Sequence, residues 1–415
     1  MKMSIKETIE TKHKEIEPLF HKGGKFEKFF PLFEAQDTFA LTPPDVTQGN
    51  THIRDAVDLK RVMFTVVVAL IPCLLWGIFN AGYNYYHYSG IETNTFMMLL
   101  RGAMIVMPIV MTSYIVGGIW EVTFAIVRKH EINEGFLVTG LLFPLTLPPT
   151  IALWQVAVGI TFGVVIGKEI FGGTGFNILN PALTARAYLF FAHAKDMTGD
   201  VWAKYRYFDA DLGQYVDGKT GATPLGLGAS YGGQAANVAE RLSSDGFSLA
   251  TLFGGLMPGS IAETSAIPIL IGAAILIVSG VGSWKIMAGG VAGLLGTAIL
   301  MNFLPSGLVG DVTLTTWTQV PFIYHLFMGS FLFGIVFMAT DPVSAAQTDL
   351  GKWIYGALIG VVTVLVRVTN PGFPEGVMLA IIFMNVMAPI IDYYVVRGHI
   401  AKRNAYLRKF SYAKG

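Results

Sequence analysis

Ten apolar runs occupy most of this chain, and they constrain its fold more than any other feature. A run of about 20 apolar residues is long enough to cross a bilayer as a helix. The 415 residues are 53% hydrophobic and 14% charged, whereas a soluble domain is about 25% charged. We therefore predict an all-α polytopic membrane protein with about ten transmembrane helices, near residues 62–82, 103–127, 135–149, 151–170, 182–195, 264–282, 286–304, 321–339, 353–369 and 377–396.

The spans fall into two sets of five, a first membrane repeat at 62–195 and a second at 263–397. Each set has a Gly-rich span that leads into Asn180-Pro181 or Asp341-Pro342. Because five is odd, the two halves would have opposite orientations, as in inverted repeats with interrupted helices. The alternative is that Pro and Gly only kink ordinary membrane helices.

Polar segments separate and flank these repeats. Residues 1–61 are polar with aromatic clusters, and a helix is expected over roughly 4–20. The part from Phe26 to Phe39, together with residues 51–55, could cap the membrane surface and bind a quinone headgroup. Plain interfacial anchoring is the alternative. No apolar region before residue 62 resembles a signal peptide.

The distribution of basic residues predicts the orientation. Loops on one side contain basic residues, whereas the opposite loops 83–95 and 304–317 have no Lys or Arg. Basic loops stay on the cytoplasmic side. We therefore expect cytoplasmic termini, including a tail at 398–415, and an external or periplasmic segment at 196–262.

Charge and cysteine content exclude several classes of partner. The net charge of +1 argues against nucleic acid. Cys73 is the single cysteine, so the chain alone can form neither an internal disulfide nor the ligand set of an iron–sulfur cluster.

The external segment contains the heptapeptide Asp217-Gly218-Lys219-Thr220-Gly221-Ala222-Thr223. Its pattern D-x-x-[ST]-G-A-T resembles the recognition sequence for covalent flavinylation, in which a transferase joins FMN through its phosphate to the last threonine, here Thr223. Gly221 and the small Ala222 would leave that hydroxyl accessible. An ordinary polar turn is the alternative.

A glycine loop at 172–181 precedes the fifth span on the opposite side. Glycines let the backbone approach a ligand closely. Thr174, Asn177 and Asn180 offer polar groups of the kind that pair with an isoalloxazine edge. A tight re-entrant turn explains the same pattern.

Ionisable residues at membrane depth are candidate functional groups. Glu121 lies within the second span, and Asp341 and Asp392 border spans of the second half. Their carboxylates suit a hard cation such as sodium. Lys168 and Glu169 are adjacent and close the fourth span, so we expect them to face different directions at the interface.

Taken together, the sequence resembles the B-subunit family of the bacterial sodium-translocating NADH:quinone oxidoreductases over nearly its whole length. The resemblance rests on Gly23 to Lys25, Arg54 to Arg61, Ile115 to Gly118, Arg128 to Glu131, Gly172 to Leu183, Thr223 and Ala339 to Ser344. It implies a six-subunit complex of the bacterial inner membrane with five partners, the A, C, D, E and F subunits, together with a flavin transferase for maturation. Electrons would pass from NADH through partner cofactors to FMN on the C subunit, to FMN here, to non-covalent riboflavin and to ubiquinone, coupled to Na⁺ export.

The resemblance also implies roles for individual residues. Thr223 matches the FMN-bearing threonine, and Asn177 and Asn180 match riboflavin contacts. Gly117 and Gly118 match positions implicated in quinone reduction. The residues that match acidic positions linked to sodium transfer are Glu121, Asp341 and Asp392.

Two alternatives stay open at this point. The D subunit of the Rnf complex is similar in its flavin threonine and its membrane halves, although it lacks the long polar N-terminal segment. The membrane halves are also similar to urea-channel-like proteins, which would make the chain a solute channel or transporter. That interpretation leaves the motif ending at Thr223 without a role.

Overall fold

The structure is a computed structural model of the whole chain. It describes residues 16–21, 24–34, 59–129, 132–198, 201–203, 206–209, 214–217, 222–230, 238–303, 320–369 and 375–412. The expected helix at 4–20 and the cap residues 35–39 and 51–55 lie mainly or wholly outside these ranges. Within them, short 3₁₀ turns form at Glu17–Leu19 and Glu27–Phe29.

The first half contains five helices, which are labelled α1 to α5. They are Leu59–Ser89, Thr95–Arg128, Gly135–Leu145, Leu153–Val165 and Pro181–Ala192. Helix α3 ends early because Pro144, Pro148 and Pro149 cannot continue its hydrogen-bond ladder. A 3₁₀ turn, Glu169–Phe171, follows α4 and leads into the glycine loop.

The second half has five corresponding segments, α6 to α10. Four are helices: α6 is Ala266–Val278, α7 is Trp284–Asn302, α9 is Asp349–Thr369 and α10 is Val377–Tyr412. Segment α8 is broken into Phe322–Phe327, Phe331–Phe333 and a π-helical turn at Gly334–Met338. Gly329 has a φ of +68° at this break, a conformation that glycine adopts without strain.

The same pairs of helices pack together in each half. Helix α2 packs on α4 and α4 on α5, just as α7 packs on α9 and α9 on α10, while α1 and α6 join the halves. The short segments α3 and α8 form the centre, and Phe143, Leu145, Phe331 and Phe333 are fully buried there. The long helices expose apolar side chains, as expected of surfaces that face lipid.

Interrupted helices need partners for their backbone groups at membrane depth. At the end of α3 the segment before α6 provides these partners. The amides of Ile261 and Ala262 donate to the carbonyls of Leu147 and Leu145 at 3.1 and 3.0 Å. The backbone groups freed by the interruption in the first half are therefore satisfied by residues that lie just before the second half.

The two proline dipeptides are not equivalent positions in the two halves. Asn180-Pro181 opens α5, the fifth segment, whereas Asp341-Pro342 follows α8, the third segment of its half. Another Asn-Pro dipeptide, Asn370-Pro371, precedes α10 in the sequence and lies outside the described residues.

The segment between the halves contains short helices at Ala194–Met197, Pro224–Ser230, Val238–Ser244 and Leu249–Gly254. It also contains a two-stranded antiparallel hairpin, β1 (Arg206–Asp209) and β2 (Gln214–Asp217), in which Arg206 pairs with Asp217. The sequence analysis did not predict this hairpin, because alternation over four residues is too short to indicate a strand.

The prediction of a helical polytopic membrane protein is confirmed. Among the residues that the structure describes, six helices are long and apolar enough to cross a membrane, and Gly135–Leu145 and Ala266–Val278 are shorter apolar helices. Together with α5 and the broken α8, they account for the ten predicted runs. The inverted orientation of the halves and the likeness to urea channels stay predictions.

Candidate functional site

A pocket lies where the start of α1 meets both interrupted regions, and we call it the Asn180 pocket. Its volume is about 740 Å³, open mouth included. Apolar side chains form most of its wall. Its polar lining residues are Thr139, Lys168, Thr174, Asn177, Asn180, Thr340 and Asp341. The structure therefore brings the glycine loop of one half and the Asp341 turn of the other to a single site.

Asn180 is held firmly at the edge of this pocket. Its side-chain oxygen accepts from the backbone amides of Ala182 and Leu183 at 3.0 and 3.2 Å and so caps the start of α5. Its amide nitrogen donates to the carbonyl of Met338 at 3.5 Å, which links the two halves. Asn180 is therefore engaged by the protein itself.

Asn177 and Asp341 are also fixed by local hydrogen bonds. The amide nitrogen of Asn177 donates to the carbonyl of Leu179 at 2.9 Å. The carboxylate of Asp341 accepts from the hydroxyl of Ser344 at 2.7 Å and from the amide of Val343 at 3.2 Å. These contacts orient the polar groups before any ligand binds.

Lys168 belongs to a group of charges beside the pocket, which we call the Lys168 cluster (Glu121, Arg128, Lys168, Glu169), and all of them except Arg128 are buried. The Lys168 ammonium contacts a carboxylate oxygen of Glu121 and lies 3.2 Å from Oε1 of Glu169. Arg128 bonds the other oxygen of Glu169 at 3.0 Å. Two cations and two anions therefore neutralise each other.

The expectation that Lys168 and Glu169 face different directions is wrong. The two side chains are only 4% and 1% exposed. They converge because α4 has already ended at Val165, and the 3₁₀ turn that follows does not place neighbouring side chains at the helical angle.

A second pocket surrounds Thr223, and we call it the Thr223 pocket. Its volume is about 350 Å³, open mouth included, and it is lined by residues 202, 223–225, 257–260, 263–264, 329–330 and 375. Thr223 is half-buried at the start of the helix Pro224–Ser230. Its hydroxyl oxygen accepts from the amide of Gly226 at 3.1 Å.

The two pockets lie at opposite ends of α1. Val62, Met63 and Val66 line the Asn180 pocket, whereas Asn80 donates to the carbonyl of Met257 and to the hydroxyl of Thr264, which both line the Thr223 pocket. Met63 and Asn80 are about 25 Å apart along the helix, at about 1.5 Å per residue. That distance is close to the hydrocarbon thickness of a bilayer, about 30 Å.

Comparison with known proteins shows the family of this chain. The NQR2, RnfD, RnfE family matches residues 46–401. The chain belongs to this family. It is 47% identical to the B subunit of the Na(+)-translocating NADH-quinone reductase of Klebsiella pneumoniae (strain 342), over 97% of this chain and all of that protein. The corresponding protein of Stutzerimonas stutzeri (strain A1501), with the same name, is also 47% identical, over 94% of this chain and 97% of its own length. The resemblance inferred from the sequence is confirmed.

Gly117 and Gly118, which the sequence resemblance linked to quinone reduction, lie on α2 beside Phe136 but have different surroundings. A Cβ atom on Gly117 would lie 2.4 Å from the ring of Phe136 on α3, whereas one on Gly118 would meet that ring only at 3.9 Å. The structure therefore gives Gly117 a packing role between α2 and α3.

Asp392, the third predicted sodium residue, lies on α10 and binds the start of α9. Its carboxylate accepts from the amides of Gln347 and Thr348 at 2.6 and 3.0 Å, and from the Thr348 hydroxyl at 2.5 Å. It therefore holds the two residues that precede α9 and orients Thr348, whose hydroxyl accepts from the amide of Gly351 in the first turn of the helix. The structure does not bring Asp392 and Glu121 to one site.

The sequence analysis missed one buried charged group at the Thr223 pocket. Arg186 of α5 is 4% exposed. It donates to Glu263 at 3.2 Å and to Glu375 at 2.9 Å. Arg186 is an ionisable residue within an apolar run, and that feature could have identified it.

Proposed function

We propose that this chain is the membrane subunit of a sodium-translocating NADH:ubiquinone reductase. In this role it holds FMN covalently on Thr223 and riboflavin non-covalently in the Asn180 pocket. It passes electrons from the first flavin to the second and then to ubiquinone, coupled to Na⁺ export. The two pockets at opposite ends of α1 are the observation that carries this proposal.

The residues of the Asn180 pocket fit a flavin without a phosphate group. Apolar walls such as Val66, Val138 and Phe337 suit the faces of an isoalloxazine ring. Among the described lining residues Lys168 is the single cation, and Glu121 and Glu169 already contact it. The two negative charges of a phosphate dianion would therefore exceed the one partly offset positive charge at the pocket wall, which favours riboflavin over FMN at this site.

The surroundings of Thr223 fit an ester-linked flavin. The hydroxyl oxygen accepts a hydrogen bond from the amide of Gly226 through a lone pair. Esterification would replace only the hydroxyl proton, so this hydrogen bond could persist. The cap of the following helix then keeps an oxygen atom in place. Bound there, a flavin supplies one-electron and two-electron redox chemistry that no side chain of this protein provides.

Basic residues support a location in the bacterial inner membrane with both termini in the cytoplasm. Lys60 and Arg61 begin α1, Arg128 ends α2, and Arg397, Lys402 and Arg403 lie along the end of α10. The start of α1 is therefore the cytoplasmic end. This orientation puts the Asn180 pocket toward the cytoplasm and Thr223 toward the outside.

An electron that moves from Thr223 to the Asn180 pocket crosses most of the membrane dielectric. Moving one charge through a membrane potential of 100 mV involves about 2.3 kcal/mol. We propose that this step couples redox energy to sodium movement. Asp341 is the acidic residue that lines the Asn180 pocket directly, so it is the first candidate for contact with the cation.

The partners in this proposal are the A, C, D, E and F subunits of the complex. The C subunit, which carries FMN, is the electron donor. A flavin transferase would attach FMN during maturation, and no nucleic acid is involved. The names of the relatives, which are components of a reductase, support this assignment.

The decisive experiment is digestion of the purified complex with trypsin, followed by mass spectrometry. Cleavage after Lys219 and Arg241 gives one peptide that contains both Thr220 and Thr223. We expect this peptide to carry one FMN in the native complex. Thr223→Ala should remove it, together with the in-gel flavin fluorescence and quinone reduction, whereas Thr220→Ser keeps the motif and should retain all three.

The result also separates the remaining alternatives. An unmodified peptide in active enzyme would refute the attachment site and reopen the channel interpretation. Because the family also includes RnfD, the electron donor must be tested as well. Reduction of ubiquinone by NADH supports the proposal, whereas transfer between ferredoxin and NAD would assign the chain to an Rnf-type complex.

A further inference from the structure

Lys168 combines deep burial with direct access to the Asn180 pocket. It is 4% exposed and lines the pocket wall beside Asn177 and Asn180. A buried ammonium is costly unless it is paired and hydrogen-bonded. The surrounding protein therefore maintains this charge at the pocket, although the sequence pattern gave it no role.

The contacts of Lys168 leave one of its three N–H groups available to a ligand. Two are directed at Glu121 and Glu169. The third reaches the hydroxyl of Thr174 at 3.3 Å, which is long for a bond from a charged donor. Thr174 also lines the pocket, so a stronger acceptor bound there would compete for this donor.

We propose that Lys168 is a positioning residue for the non-covalent flavin. Its third N–H donates to the electron-rich carbonyl edge of the ring, and its positive charge raises the reduction potential of that flavin. This inference rests on the proposed function, because it needs a flavin in the Asn180 pocket. The physical basis is simple: reduction adds negative charge to the ring system, and a nearby cation stabilises that charge.

Glu121 acts through Lys168 in this arrangement. Its carboxylate contacts the ammonium directly and offsets part of the positive charge felt in the pocket. Glu121 is 4% exposed and does not line the pocket. Removing the Glu121 charge should therefore change the flavin potential in the direction opposite to removing the Lys168 charge.

The experiment uses the purified complete complex with Lys168→Met, Lys168→Arg and Glu121→Gln. Arg128→Gln is the matched control, since Arg128 belongs to the same cluster but does not line the pocket. Two quantities are measured: the flavin that acid extraction releases per complex, and the midpoint potential of that flavin by spectroelectrochemical titration. The flavin on Thr223 serves as an internal reference in each sample.

We expect Lys168→Met to weaken binding of the extractable flavin about tenfold, the usual effect of losing one hydrogen bond from a charged donor. The midpoint potential of the flavin that stays bound should fall. Lys168→Arg should retain most of the bound flavin, Glu121→Gln should raise the potential, and Arg128→Gln should change it least. A purely structural role for the cluster would not produce shifts of opposite sign.

Unchanged flavin content and potential in Lys168→Met would overturn the proposal while leaving the proposed function intact. If Lys168→Met does not assemble, Glu121→Gln decides: an assembled complex with an unaltered potential refutes the role of Lys168. A wild-type complex that releases no flavin on acid extraction overturns both this inference and the riboflavin part of the proposed function.

Discussion

Gly117 and Phe136 approach each other so closely that the residue on α2 must be glycine. An added Cβ atom would lie 2.4 Å from the Phe136 ring, whose edge occupies the space of a missing side chain. Phe136 lies at the start of α3, next to Gly135, whose own added Cβ atom would lie 2.8 Å from Thr174. A change at Gly117 can therefore reach the Asn180 pocket through packing alone.

We predict that Gly117→Ala perturbs the complex, whereas Gly118→Ala does not. Overpacking of this kind costs about 1–3 kcal/mol, and it should displace α3 and lower the content of extractable flavin together with quinone reduction. Gly118→Ala is the matched control, since its Cβ atom would meet Phe136 only at 3.9 Å. Equal effects of the two substitutions on activity and flavin content would show that packing against Phe136 is not the cause.

Asp392→Ala should destabilise the start of α9. The substitution removes the acceptor of two backbone amides and one hydroxyl just before the helix, and a hydrogen bond to a charged group contributes about 1.5–3 kcal/mol. Stability can be measured as the temperature at which a thiol-reactive dye labels Cys73. Cys73 is the single cysteine of the chain and is fully buried in the folded protein.

The variant Thr348→Ala provides the test of mechanism for Asp392. If the carboxylate mainly holds Thr348 in place at the start of α9, the two substitutions should be non-additive, because both remove part of one contact. A variant Asp392→Asn with unchanged labelling temperature but a shifted Na⁺ dependence of activity would instead favour the sodium role that the sequence suggested.

Asn180→Ala should lower both stability and flavin content, whereas Asn180→Ser should largely preserve both. Serine is a good N-cap residue and can still accept from the first amides of α5. The loss in the alanine variant should be about 1 kcal/mol, again measured by labelling of Cys73. Loss of flavin in Asn180→Ser without loss of stability would indicate direct contact between the amide and the ligand.

Arg186→Gln should be the most destabilising of these substitutions. It would leave Glu263 and Glu375 without the buried cation that both contact, and breaking a buried ion pair costs about 3–5 kcal/mol. Arg186→Lys keeps the charge but cannot reach both carboxylates with a planar fork, so it should be intermediate. Assembly of the complex, monitored on native gels by the fluorescence of the flavin that we propose on Thr223, gives the readout. Normal assembly of Arg186→Gln would contradict the prediction.

The sequence predicted the membrane segments accurately because burial in lipid demands long apolar runs, and such runs are visible without any tertiary information. Even the short segment 135–149 and the broken 321–339 correspond to elements of the structure. The hairpin Arg206–Asp209 and Gln214–Asp217 escaped prediction because four-residue strands depend on pairing with each other.

Predictions for the site were more mixed. The sequence identified the glycine loop and Asp341, and the structure shows that both line one pocket. It predicted that Lys168 and Glu169 face different directions, whereas the chain buries both and brings Lys168 into contact with Glu121 and Glu169. Arg186 was overlooked because its partners, Glu263 and Glu375, are distant in sequence.

The sequence by itself determined that this chain is an apolar helical membrane protein of a particular family, because composition, periodicity and motifs are local properties. Only the tertiary structure decided which of its polar groups meet. Asn180 and Met338 are joined across the two halves, and Glu121 is paired with Lys168. Pairing of this kind depends on where helices end and how they pack, and no short stretch of residues encodes it.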